Sequence, residues 1–100
     1  MKDELVLPLL EEAAEKLSVK VSYEDLRKGE VNTPGGSCVL KGERRIIIHK
    51  KLHTREKVDV LMEILAEMDF ENIHLPTEIR ARLDKIKSKQ QPLEAFHEPR

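Results

Sequence analysis

Cys38 is the only thiol in the chain. It stands in Gly35-Gly-Ser-Cys-Val-Leu-Lys-Gly42, a glycine-flanked stretch that could hold a reactive side chain at a surface. A thiol becomes a strong nucleophile when a neighbouring imidazole takes its proton, and His49 is the imidazole nearest to Cys38 if the two flanking segments pair as strands. His49 also opens His49-Lys-Lys-Leu-His53. Together with Cys38 and His74, these histidines form a soft nitrogen and sulfur set of the kind zinc accepts. Two chemistries therefore have candidates: a thiol-dependent enzyme or redox sensor using Cys38 with His49, and a metal-binding module. The second is weakened by spacing, because His49 and His53 fall at a strand end and a loop, and no Cys-x-x-Cys or helical His-x-x-x-His occurs. No metal ligand or cofactor is assigned.

Several elements must position these residues. Leu5, Val6, Leu9, Leu10, Ala13, Ala14 and Leu17 recur at spacings of three and four, which predicts an amphipathic helix with Pro8 in its first turn. Val19, Val21 and Tyr23 alternate with Lys20 and Ser22, a half-buried strand. Glu24 to Pro34 is a polar connection with Leu26 and Val31 as its apolar anchors. Ser37–Lys41 and Arg44–Lys50 read as strands joined at Gly42-Glu43, a type II′ hairpin with glycine at the position of positive φ. That register sets Cys38 opposite Ile47, among aliphatics that would keep it inert, with His49 diagonal to it at about 7–8 Å. Ile46-Ile-Ile48 predicts a strand covered on both faces or central in its sheet.

Thr54 is the expected N-cap of a second helix, without a capping box because Lys57 stands at its third position. Val58, Leu61, Ile64, Leu65 and Met68 form the apolar stripe of that helix. Asp59, Glu63 and Glu67 form a solvated acidic row. Leu75-Pro76 opens a third helix with Pro76 at N1, and Ile79, Leu83 and Ile86 form its stripe. The order α-β-β-β-α-α predicts an α+β domain over residues 1–89. Its three-stranded sheet is antiparallel or mixed, with helices mainly on one face. Residues 90–100 read as a flexible tail in which Leu93 and Phe96 could dock.

Composition narrows the function classes. Of 100 residues, 39% are hydrophobic and only three are aromatic, so the core is aliphatic. A single cysteine excludes an internal disulfide framework and fits a reducing, cytoplasmic compartment. The N-terminal segment reads neither as a signal peptide nor as a membrane span. The net charge of −1 hides blocks of alternating sign. Residues 41–57 hold 7 basic and 2 acidic side chains, and residues 58–72 hold 5 acidic and none basic. Such alternation favours internal or self-association complementarity. The basic block lacks both stacking aromatics and a recognition helix, which points away from nucleic acid.

Gly35-Gly-Ser-Cys-Val-Leu-Lys-Gly42, Ile46-Ile-Ile-His-Lys50, Leu61-Met-Glu-Ile-Leu-Ala66 and Leu75-Pro-Thr-Glu-Ile-Arg80 together resemble a family of small uncharacterised bacterial proteins with a Gly-Gly-x-Cys-x-Leu-Lys-Gly motif. The resemblance covers about residues 19–84 and implies no activity. The layout of helix, strand, hairpin and helix is also similar to the opening of minimal zinc peptidases. Their His-Glu-x-x-His is matched here by Met62-Glu-Ile-Leu-Ala66, which keeps the glutamate and lacks both ligands. The expectation is a non-enzymatic bacterial domain acting through a protein partner or self-association as a homodimer. The sequence specifies no small-molecule ligand.

Overall fold

The computed structural model describes residues 2–25 and 34–90. Six elements follow one another: α1 (Asp3–Lys16), β1 (Lys20–Glu24), β2 (Gly35–Leu40), β3 (Glu43–His49), α2 (Thr54–Ala66) and α3 (Thr77–Gln90). This is the expected α+β order. The anchors Leu26 and Val31, most of the connection between Glu24 and Pro34, and the tail with Leu93 and Phe96 lie outside the described residues.

The sheet runs β1-β3-β2. β3 pairs parallel with β1, Val21 beside Ile46 and Tyr23 beside Ile48. It pairs antiparallel with β2, Ser37 beside Ile46 and Gly35 beside Ile48. Side chains alternate across a strand, so Ile46 and Ile48 point together at the helices, and both are fully buried. Ile47 faces the other way and is half-buried. The isoleucine run thus marks the central strand. α2 packs on β3 and β2, α1 packs on β1 and α2, and α3 packs mainly on α2.

Helix α1 begins at Asp3, which puts Pro8 inside it and not in its first turn. An interior proline costs about 3 kcal/mol. Starting the helix early completes the stripe that buries Val6 and Leu10, and each buried side chain of that size contributes about 1.5–3 kcal/mol. The carbonyl that Pro8 cannot bond belongs to Glu4, which is exposed to water. Burial wins. The helix ends in a Schellman arrangement: Val19 N–H donates to Ala14 O at 2.9 Å and Ser18 N–H to Glu15 O at 3.0 Å. This places Ser18 at φ 63°.

Helix α2 is capped by His53, one residue earlier than expected. That shift makes Glu56 the third helical residue, and its carboxylate accepts the His53 N–H at 2.9 Å. Pro76 caps α3 and is not its first residue, since its carbonyl accepts from Arg80 N at 3.0 Å. Phe70, 2% exposed, plugs the space below α2. Lys87 Nζ sits 4.7 Å from its ring centroid and donates to Met68 O at 2.8 Å. The basic side of α3 thus ties down the chain that leaves α2. Among the described residues, no helix is long and apolar enough to cross a membrane.

Two substitutions test this packing. At Gly35 a Cβ would lie 2.7 Å from Ile47 O and 3.1 Å from Val60 Cγ1, whereas at Gly36 it would meet nothing within 4 Å. Gly35→Ala is expected to destabilise by about 1–3 kcal/mol and Gly36→Ala to leave the urea midpoint nearly unchanged; equal effects would contradict the close approach of α2. Ser18→Gly removes the left-handed strain and is expected to stabilise by about 1 kcal/mol, read as a raised midpoint at constant m-value.

Candidate functional site

The hairpin register decides what happens to the thiol. The turn is Lys41-Gly42, with φ 54° and 79°, so both central residues take the positive φ of a type I′ turn. Leu40 therefore faces Glu43, and Cys38 faces Arg45 instead of Ile47. The expected register was two residues out. A slip of two preserves the facing of every side chain, so Cys38 does share a face with Ile47 and His49. It moves Cys38 four strand positions from His49, roughly 13 Å at 3.3 Å per residue. No direct Cys38–His49 contact forms in this register. Cys38 is also exposed, not part of the core, and none of the described helices packs over the face that carries it.

His49 is 6% exposed. Its Nδ1 lies 3.4 Å from Glu24 O and 3.9 Å from Asp25 Oδ1, so its ring is turned toward the end of β1 and away from β2. His53 caps α2, and His74 lies in the loop before α3, where its carbonyl accepts from Lys16 Nζ at 3.2 Å. Among the described residues, no three of His, Cys, Asp and Glu come together as a metal site. Met62 and Ala66, where the zinc-peptidase motif has its ligands, are both core residues.

The remaining members of the open face are Lys20, Ser22 and Glu24 of β1, Glu43 and Arg45 of β3, and Gly36 and Leu40 of β2. Arg45 Nη2 donates to Glu43 Oε1 at 3.3 Å, and Arg45 Nε is buried without an acceptor among the described residues. The basic segment is divided between the ends of β3. Lys41 and Arg44 lie at the hairpin, and Lys50, Lys51 and Arg55 follow the far end. A seven-residue strand separates the two groups by roughly 20 Å, and Arg45, which lies between them, is paired with Glu43.

Each edge of the sheet adjoins a cleft. Beside β1 and α1, about 590 Å³ is lined by Glu11, Glu15, Lys20 and Glu43 among others. Near this cleft the Tyr23 hydroxyl donates to the Glu11 carboxylate, and Lys57 Nζ lies 5.1 Å from the Tyr23 ring centroid. Beside β2, about 330 Å³ is lined by Ser37, Cys38, Val39, Arg44, Glu67 and Met68.

The edges themselves differ in kind. β1 carries a charge at each end, Lys20 and Glu24, and α1 lies against it. β2 is Gly-Gly-Ser-Cys-Val-Leu, with no charge and no proline. Five of its six residues are exposed, including Val39 at 65% and Leu40 at 51%. In a two-residue hairpin the residues flanking the turn exchange backbone hydrogen bonds, and bonded pairs then alternate. Leu40, Cys38 and Gly36 therefore bond inward to β3, as does Pro34, whose carbonyl accepts from His49 N at 2.9 Å. Ser37 and Val39 direct their N–H and C=O groups outward, to the side that has no strand among the described residues.

No family model, curated protein or solved structure matches the chain.

In the sequence the thiol of β2 stands out, whereas no single residue marks the charge-free strand around it as an edge. One signal was available. A covered isoleucine strand must be central, and in a three-stranded sheet that leaves both neighbours as edges.

Tyr23 offers a direct test of the α1–β1 contact. Burial, reinforced by the Glu11 carboxylate, raises its pKa well above the ordinary value near 10. The folded chain then holds the phenolic proton where the unfolded chain has lost it, so stability is intact below about pH 10 and falls as pH rises further. Tyr23 is the only tyrosine, so phenolate absorbance reports it alone. The expected midpoint lies well above 10 and coincides with alkaline unfolding, and Tyr23→Phe should flatten that decline. A midpoint at the free-tyrosine value would show that the contact is absent in solution.

Proposed function

We propose that this chain is a non-enzymatic interaction domain whose β2 edge accepts an extended segment of a protein partner. The observation that carries the reading is the edge itself: an exposed, uncharged strand with outward backbone groups at Ser37 and Val39, and with the exposed hydrophobic side chains of Val39 and Leu40. Strand addition draws affinity from main-chain hydrogen bonds and specificity from alternate side-chain positions. The cleft beside Ser37 and Val39 provides such a position on the helix-facing side, and Arg44 and Glu67 supply both signs of charge at its rim.

Displayed random peptides selected on the immobilised protein should yield extended, weakly charged sequences. Their binding should shift the Ser37 and Val39 amide resonances and be reduced at least about tenfold by Val39→Lys, which places a charge on the edge. Binders that map to another surface, or none at all, would overturn the reading.

A further inference from the structure

We infer that β2 pairs with β2 of a second copy of this chain, antiparallel about a two-fold axis at Cys38, giving one continuous six-stranded sheet. This rests on the strand-acceptor reading and names the partner.

The register follows from which backbone groups point outward and where side chains have room. An axis at Cys38 sets Ser37 opposite Val39 of the second copy, and Val39 opposite its Ser37. Both pairs use outward-directed groups, so each can exchange its two N–H···O bonds. Leu40 then lies across from Gly36 of the second copy, where a Cβ would find open space. An axis at Ser37 would instead set Leu40 across from Pro34, beyond the end of β2. Keeping Leu40 within the paired strand favours the Cys38 axis over that one.

Charge agrees with this choice. The Cys38 axis carries Lys41 of the second copy alongside Gly35, the strand position packed against Val60. Val60 adjoins Asp59 on α2, whose exposed face also carries Glu63. The basic hairpin tip of each copy thereby approaches the acidic helix of the other. β1 has no equivalent pairing, since charged residues guard both of its ends.

The axis places the two Cys38 residues directly opposite one another as a non-hydrogen-bonded pair. Their Cα atoms would lie about 4.5 Å apart, within the range a disulfide spans. That gives the test a geometric readout. An edge-to-edge contact is at the small end of interface sizes, so sedimentation equilibrium of the reduced protein should run to several hundred micromolar, on the order of weak dimers. A reversible dimer is expected, retained in Cys38→Ser and weakened at least about tenfold in Val39→Lys.

With diamide as the two-electron oxidant, the two thiols lose their protons and form one S–S bond while diamide is reduced to its hydrazine. The wild type should cross-link rapidly and Val39→Lys slowly. Val39 is exposed, and equal unfolding midpoints for the two proteins would show that the substitution acts on association. A dimer that persists in Val39→Lys, or one that diamide cannot cross-link, would overturn this pairing. A monomer at all concentrations would also overturn it; selected peptides still binding β2 would then leave the strand-acceptor reading standing, and their absence would remove both.

Discussion

The structure depends on β3 lying between β1 and β2. Ile46 and Ile48 are fully buried, and they can be so only if strands flank them on both sides and α2 covers them from above. Every other element is placed by that requirement. β1 runs parallel to β3 in a register that puts Val21 and Tyr23 on the same face as Ile46 and Ile48. α1 then closes over β1, and α2 follows β3 after the short stretch from Lys50 to His53. The helices α1 and α2 bury Val6, Leu10, Leu61 and Leu65 between them. An aliphatic core of this kind has little directional chemistry, so the order of strands is set by hydrophobic patterning and by the turn at Lys41-Gly42.

A central strand in a three-stranded sheet leaves two edges, and the chain treats them differently. At β1 the polar work is done inward. Tyr23 reaches Glu11 on α1 and lies under Lys57 of α2, which links three elements through one side chain. At β2, no side chain makes a comparable link among the described residues. Gly35 lets the strand approach Val60, and beyond it the residues diverge from α2 toward solvent. The same central strand thus has one neighbour locked to the helices and another that is held chiefly by its backbone ladder.

Element types were legible in the sequence because periodicity reports burial, and burial is what α1, β3 and α2 share. The Ile46–Ile48 run announced a central strand, and the isoleucine and leucine of α3 announced its inward stripe. Positions that turn on one or two residues were not legible. Gly42 supports either a II′ turn with Glu43 or a I′ turn with Lys41, and only the full ladder, including the bond from His49 N to Pro34 O, separates them. Pro8 fits a first turn by its local cost alone, yet the stripe that includes Val6 outweighs that cost and draws the helix start back to Asp3. Cys38 was placed on the correct alternation and given the wrong surroundings. Period two fixes which residues share a face, but it cannot say which face a helix covers.

The exposed edge of β2 owes little to the stability of the fold. Val39 at 65% exposure contributes little to folding, and an uncharged hydrophobic edge carries a standing risk of uncontrolled pairing. A lysine at that position would lower the risk at small cost to the fold, and the chain shows elsewhere that it uses charge freely, with 37% of its residues charged. Six consecutive residues without charge or proline, in a chain of this composition, suit an edge that is covered in use. Both the strand-acceptor reading and the two-fold pairing follow from taking that cover as the function of β2.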